Sequence, residues 1–374
     1  MYNSTLTMKR VLHIVEAFGG GIVTYLNNLT KGQCEFYKVY IAYGFRSETP
    51  SDFGDLFDKR IVWIEVSNFK KSIGWHDFRA CRELLLLQKE ICPDIVHLHS
   101  SKAGAIGRIL FHGHKLPLFY TPHGFSFLMK DSSLAKRLFY WLVEYSCSHI
   151  SHCVTIACSE GEYKKALKLD KKATFVNNGV SPAELKDYLK EKEYVHPPVV
   201  CTVGRILPQK NPALFNHIAT LLPNIKFVWI GDGEQRDLLT SSNIIITGWK
   251  SRIGAMKELM SADIFLLPSL WEGLPISLLE AMYLKKVCIV SDVIGNRDVI
   301  HSGINGFIAN TACEFADIIN NIISGIYDGE GIASIAHNEV CTKYNADFLA
   351  VKYNEKYNLY TNNKIESYAG SPTL

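Results

Sequence analysis

No apolar run in this 374-residue chain reaches the ~18 residues that a bilayer crossing requires, and no secretory leader precedes the first apolar segment. Neither an integral helical membrane protein nor an exported one is expected. An excess of one charge is also missing. Forty Lys and Arg against 37 Asp and Glu leave a formal net charge of +3, with a pI near 8.2. That balance is too mild to imply nucleic acid as a partner. Ten cysteines are scattered singly, without a C-x-x-C pair or a regular framework. A chain this long needs no disulfide staples, so a reduced, cytosolic protein is expected. A G-x-G-x-x-G fingerprint, an Asp-x-Asp metal motif, internal repeats and low-complexity segments are absent too.

What is present is ordinary globular composition, 47% hydrophobic and 21% charged, in a chain long enough for two domains that each bury a core. The polar leader 1–7 is expected to be disordered, with Met8 a candidate start. Residues 10–16 (R-V-L-H-I-V-E) read as a buried strand ending at Gly19, Gly20 and Gly21, and Ile22, Tyr25, Leu26 and Leu29 follow at helical spacing. Strand, glycine loop and helix open a nucleotide-type α/β domain. The glycines either let backbone approach a phosphate or an acceptor, or simply form a tight turn. A dinucleotide site is set aside, because the second strand (37–43) leads into Gly44, Phe45 and Arg46 with no acid to hold a ribose.

Alternation continues with a strand at 61–66, a helix at 75–91 and a strand at 94–99 that carries His97 and His99 towards its carboxyl end. No carboxylate or cysteine completes a metal set with them, so a structural or acceptor-lining role is expected. A strand over 117–121 delivers His123, and Gly124 after it permits a sharp turn exposing the ring. Residues 128–148 combine Lys130, Lys136 and Arg137 with Leu134, Leu138, Phe139, Trp141 and Leu142. This pattern suits a basic amphipathic helix on anionic lipid and an ordinary sheet-covering helix equally. Cys147, His149, His152 and Cys153 lack a standard zinc spacing, and Ser159 is a good N-cap. A Glu/Lys-rich stretch ending in His196, Pro197 and Pro198 reads as a linker.

The second domain opens with a strand over 199–203 ending at Gly204 and Arg205, and Lys210 precedes the next helix. An arginine and a lysine at the carboxyl end of a first strand would neutralise a pyrophosphate. Further strands end in loops at Gly231 and Gly248. The stretch that organises the chain is 272–282, E-G-L-P-I-S-L-L-E-A-M, after a buried apolar strand at 264–268. Pro275 suits a first helical turn. Ile276, Leu279, Ala281 and Met282 would enter the core and leave Glu280 pointing elsewhere. Glu272 on the loop and Glu280 on the helix then flank free N–H groups at a positive dipole end. An anion surrounded by hydroxyls describes a nucleotide sugar.

The E-x7-E spacing inside E-G-L-P-x-x-L-L-E-A-M resembles the signature of the retaining glycosyltransferases of family 4, and V-G-R-x-x-x-x-K-N resembles their phosphate-binding motif. The resemblance runs from about Lys9 to the last helix. It implies a GT-B fold: two Rossmann-like, doubly wound α/β domains facing each other across a cleft, with a C-terminal helix crossing back. The acceptor-side domain would span 8–190, the nucleotide-sugar domain 197–345, and the crossover helix and tail 346–374. By residue-level match, His123 and Glu272 would be the catalytic groups. Gly20, Gly21, Arg205, Lys210, Gly231, Gly248, Gly273, Leu274 and Glu280 would hold the donor, Glu280 at the ribose and Glu272 at the sugar. The family's usual acid soon after the histidine is replaced by Gly-Phe-Ser here.

The implied reaction moves a hexose or N-acetylhexosamine, with retention, from a nucleotide sugar, expected to be a UDP-sugar, to a lipid-linked saccharide. T-P-H-G-F-S-F looks like enzymes assembling capsule, exopolysaccharide or O-antigen units. No cofactor or metal is expected, and the partners would be the donor, a polyprenyl-diphosphate-linked saccharide and the inner face of the plasma membrane, bound peripherally. A GDP-sugar (mannosyl or fucosyl) transferase and a GT-B epimerase are the alternatives. An epimerase would want further acid/base carboxylates, and a phosphorylase a pyridoxal lysine motif.

Overall fold

The computed structural model describes residues 8–50, 53–114, 116–189 and 197–369. The leader 1–7 and most of the expected linker lie outside the described residues. Strands β1 (Lys9–Val15), β2 (Tyr37–Tyr43), β3 (Val62–Glu65), β4 (Ile95–His99), β5 (Leu118–Thr121), β6 (Val154–Ala157) and β7 (Thr174–Phe175) form one sheet in the order β3-β2-β1-β4-β5-β6-β7. Strands β8 (Val199–Val203), β9 (Lys226–Ile230), β10 (Ile244–Ile246), β11 (Ile264–Leu267), β12 (Val287–Val290) and β13 (Phe307–Ile308) form a second, in the order β10-β9-β8-β11-β12-β13. All pairings within both sheets are parallel.

Parallel strands covered on both faces must be apolar on both, which is why they read as near-continuous runs. In the first sheet Val11 and Val15 face one layer, helices α1 (Gly21–Gln33) and, from the far end of the chain, residues of 349–369. Leu12 and Ile14 face the other layer, α2 (His76–Ile91), α3 (Ser101–Leu110) and α4 (Leu134–Ile150). α5 (Glu160–Ala166) is capped by Ser159, whose hydroxyl accepts the Glu162 N–H. The second sheet is covered on one face by α6 (Pro212–Leu221) and α9 (Ala312–Ile323). Its other face carries α7 (Arg252–Ser261), α8 (Ile276–Tyr283) and α10 (Gly329–Lys343).

The two sheets form the GT-B arrangement, and helix α11 (Leu349–Ala369) closes it. Its Tyr353 and Tyr357 are fully buried in the core of the first domain, where the Tyr25 hydroxyl donates to that of Tyr353 at 2.6 Å. The tyrosine row is thus a set of apolar bodies with polar tips, each tip finding a partner.

α4 departs from the expected start at residue 128. Residues Ser126–Leu128 make a single 3₁₀ turn, and the helix begins after Ser133, whose hydroxyl accepts the Lys136 N–H. The run Asp131-Ser132-Ser133 offers side-chain acceptors that compete with a helical ladder and supply a cap instead. Pro275 is the N-cap residue of α8, one place ahead of its expected position.

Each sheet reverses direction at its first strand, between β1 and β4 and between β8 and β11. Ligands in open α/β sheets bind outside the carboxyl ends of the strands at that reversal. Both reversals open onto the same cleft, and it is there that the loops after β1, β5, β8 and β11 meet.

Candidate functional site

On the second domain the site is built from the loops after β8 and β11. Glu272 is buried, and its carboxylate is held by three donors: Lys210 Nζ at 2.7 Å, Ser269 Oγ at 2.7 Å and Gln209 Nε2 at 3.2 Å. Its direction is therefore fixed by the protein. Lys210 lies across the end of β8, and a Cβ at Gly204 would come within 3.1 Å of its stem. α8 starts beside Glu272, and its first-turn amides before Leu278 have no backbone acceptor among the described residues. Gly273 and Leu274 sit in this approach, both buried.

Arg205 reaches across the cleft, its Nη1 donating to Glu48 Oε1 at 2.5 Å. Burial alone would raise the Glu48 carboxyl. The amide and hydroxyl donors around it and the guanidiniums of Arg205 and Arg46 outweigh burial and hold it below the usual range. The loops at Gly231 and Gly248 join in an antiparallel bridge. A Cβ at Gly231, where φ is 139°, would sit 2.3 Å from the Gly204 carbonyl oxygen, so glycine there lets the ends of β8 and β9 touch.

Glu280 does not point away from the core as expected. It is buried, and Arg252 from α7 donates to it at 2.6 Å. A carboxylate on the inner side of α8 must be paired to be buried, and the pairing cation comes from a helix with no recognisable motif.

On the first domain, the loop after β5 carries His123 at φ 55°, a left-handed conformation rare for non-glycine residues, followed by Gly124 at φ 98°. The turn is held by a residue that sequence reasoning missed. Glu162 accepts the Gly124 N–H at 2.6 Å through one oxygen and the Cys158 N–H at 2.7 Å through the other. Burial pushes its carboxyl up in spite of these donors. Its signal in the sequence was only a glutamate in the first turn of a capped helix. A Cβ at Gly273 would meet the Gly124 nitrogen at 2.8 Å and Cys158 Sγ at 2.9 Å. The backbone bearing His123 and the backbone next to Glu272 are therefore in contact across the cleft. Gly20 (φ 57°) and Gly21 face open space, since a Cβ on either would meet nothing within 4 Å, whereas one at Gly19 would strike Glu48.

His97 and His99 line no surface: both are fully buried. β1 brings His13 into register with His97, and ligand atoms of His13, His97 and His99 all lie within 4.8 Å of one another. The third histidine of this cluster was also missed. A histidine in the middle of V-L-H-I-V was its one trace, and the register that unites the three is invisible to spacing. Every ring nitrogen of the three is engaged. His13 Nδ1 meets His99 Nε2 (2.9 Å), His13 Nε2 meets Gln33 Oε1 (2.8 Å), and His99 Nδ1 meets His123 Nε2 (3.2 Å). His97 bridges the Tyr357 hydroxyl (2.7 Å) and the Thr121 hydroxyl (2.9 Å). Burial lowers the pKa of His13 to about 4 and that of His123 to about 3, and those of His97 and His99 fall well below the ordinary value, so all four rings are neutral.

Two doubly wound α/β domains that face each other across this cleft, closed by a C-terminal helix packed on the first domain, define the GT-B class. Two family models match, "Glycosyltransferase Family 4" over residues 19–184 and "Glycosyl transferases group 1" over 161–334. The chain belongs to the family 4 glycosyltransferases and is a transferase of the kind found in bacterial polysaccharide assembly. Over 262 residues it is 34% identical to the UDP-Gal:alpha-D-GlcNAc-diphosphoundecaprenol alpha-1,3-galactosyltransferase of Escherichia coli, a match covering 62% of this chain and 66% of that protein. It is 29% identical over 168 residues to the N,N'-diacetylbacillosaminyl-diphospho-undecaprenol alpha-1,3-N-acetylgalactosaminyltransferase of Campylobacter jejuni (43% and 44%). The fold is similar to that of Anabaena HepE in complex with UDP and glucose, with a TM-score of 0.74 at 17% identity, over 92% of this chain and 98% of that one.

Proposed function

We propose that the protein transfers a hexose or N-acetylhexosamine from a UDP-sugar, with retention, to a saccharide carried on a polyprenyl diphosphate. The observation that carries this reading is Glu272, buried and clamped by Lys210, Ser269 and Gln209 beside the start of α8, with the His123 turn against the next residue. Two of the similar enzymes bear names that specify diphosphoundecaprenol-linked acceptors, and one specifies UDP-Gal as donor.

In this reading the donor diphosphate meets Arg205, Lys210 and the first amides of α8. Charge that develops on the departing diphosphate is met by these groups, without a divalent ion. Glu272 positions sugar hydroxyls, and Gly231 and Gly248 border the base. The acceptor hydroxyl attacks C1 on the face that the diphosphate leaves and hands its proton to the leaving phosphate oxygen. No carboxylate forms a covalent intermediate, unlike the retaining glycosidase scheme. Glu280, tied to Arg252, meets the ribose only by sharing its carboxylate with that guanidinium.

Membrane binding belongs to the same reading. The outer faces of α2 and α4 and the loop before α2 expose Ile73, Trp75, Phe78, Leu134, Leu138 and Phe139, and the exposed Lys130 and Lys136 adjoin the last three in the sequence. Apolar groups among lysines favour an anionic interface. No helix among the described residues is long and apolar enough to cross a membrane.

The test is incubation with UDP-galactose, UDP-N-acetylgalactosamine, UDP-glucose and GDP-mannose, each with a synthetic polyprenyl-diphosphate N-acetylglucosamine. An α-linked product from a UDP-sugar supports the proposal. Transfer from GDP-mannose alone, or a β-linked product, refutes it.

A further inference from the structure

The buried histidines do something that the donor site does not explain. Four side chains form one hydrogen-bonded line from the far end of α1 to the cleft: Gln33, His13, His99 and His123. A second line leaves the same glutamine. Its Nε2 lies 3.5 Å from the Tyr357 hydroxyl, which meets His97 Nδ1, and His97 Nε2 meets Thr121 Oγ1, two residues before His123.

The directions of these bonds follow from the chemistry of each group. Gln33 Oε1 can only accept, so His13 carries its proton on Nε2. A neutral imidazole has one proton, so His13 Nδ1 accepts and His99 must donate from Nε2. His99 Nδ1 then accepts, and His123 must donate from Nε2. That leaves His123 Nδ1 with a lone pair, and this atom makes no hydrogen bond to the described residues. The second line is compatible with the same orientation: Gln33 Nε2 donates to Tyr357, Tyr357 can donate to His97 Nδ1, and His97 can then donate from Nε2 to Thr121. In this orientation both ends of the glutamine amide are engaged, and it fixes the three rings of the first line. If the amide were reversed, all three rings of the first line would switch tautomer and His123 would offer an N–H instead.

We infer that Gln33, His13 and His99 are positioning residues that set the tautomer of His123, so that its Nδ1 faces the donor sugar as a hydrogen-bond acceptor for a hydroxyl group. The inference rests on the reading of His123 as a sugar-facing residue. The line ends in an amide that cannot take a proton, so it orients the ring and does not shuttle protons. It is also an alternative to metal binding. A cation held by His13, His97 and His99 would need lone pairs that these bonds already use, and it would break the line at His13.

Nitrogen-15 correlation spectra of the histidine-labelled protein at pH 7 read tautomers directly. In wild type, His13, His99 and His123 are each expected to be protonated at Nε2 only. Protonation of His13 or His123 at Nδ1 would overturn the inference without any variant. In Gln33→Met, His123 is expected to show mixed tautomers and kcat to fall about tenfold, with KM for the donor within about twofold, the effect of loosening one neutral hydrogen bond. Gln33→Glu, whose carboxylate accepts as the amide oxygen does, is expected to restore the single tautomer. An unchanged single tautomer in Gln33→Met contradicts the relay whatever the activity. So does one equivalent of zinc retained by wild type and lost in His13→Gln. Full turnover by His123→Ala would instead sink the sugar-facing reading, while the tautomer result would stand.

Discussion

Arg205 and Glu272 show how partners decide what a charged residue can do. Arg205 is not idle in the cleft, because Glu48 from the opposite domain holds it at 2.5 Å. A diphosphate must displace that carboxylate or share the guanidinium with it. Glu48→Gln is therefore expected to tighten UDP binding about three- to tenfold, measured by calorimetry. Arg205→Ala is expected to weaken it about 10- to 100-fold, as charge-assisted hydrogen bonds worth about 1.5–3 kcal/mol are lost. Glu280 illustrates the reverse case. Arg252→Met leaves its carboxylate buried without a partner, and a loss of about 2–3 kcal/mol in urea unfolding is expected, at the low end for a broken buried pair because Arg252 is a quarter exposed. At this scale the sequence was legible where a motif named the residue, as with Lys210 and Glu272. It was silent on partners such as Glu48, Arg252 and Glu162, which come from other elements and carry no spacing signal.

Among the elements, α3 and α4 depend on one buried ion pair. Arg108 Nη2 donates to Glu144 at 2.6 Å, the Tyr120 hydroxyl donates to the same carboxylate at 2.9 Å, and the guanidinium lies 4.3 Å from the Tyr120 ring centre. Arg108→Ala strands Glu144 in the core, and stability is expected to drop by about 3–5 kcal/mol in chemical denaturation. The outer face of α4 has the opposite character. Leu138→Asp with Leu142→Asp is expected to abolish co-sedimentation with phosphatidylglycerol vesicles and leave UDP binding unchanged; retained co-sedimentation would remove α4 from the membrane reading. The alternating strands and helices were readable because parallel strands are continuously apolar and helices repeat every three to four residues. The late start of α4 was not, because the same apolar spacing continues upstream of Ser133, and only side-chain capping ends it there.

For the whole molecule, the neutral histidine cluster makes stability depend on pH. The folded pKa of His13 is lowered to about 4 by burial, below the ordinary value of 6.5. The unfolded chain binds protons below that ordinary value that the folded one refuses. Stability is therefore full above about pH 7 and is lost as pH falls from 6.5 towards 4. At pH 5 His13 alone accounts for about 2 kcal/mol, and the neighbouring buried rings act in the same direction. Denaturant midpoints that stay constant from pH 7 to pH 5 would contradict this. The two-domain plan was legible because it rests on local pattern, and the crossover helix because the GT-B resemblance implies it. The histidine line and the Gly124–Gly273 contact were not, since both arise from strand register and from the meeting of two domains.

The most direct test of the central claim, that the loops after β8 and β11 hold a nucleotide diphosphate, is calorimetric titration of UDP, GDP and ADP in the absence of metal, with wild type and Arg205→Ala. Selective UDP binding, weakened at least tenfold in the variant, is the predicted result. Equal UDP affinity in wild type and Arg205→Ala would contradict it.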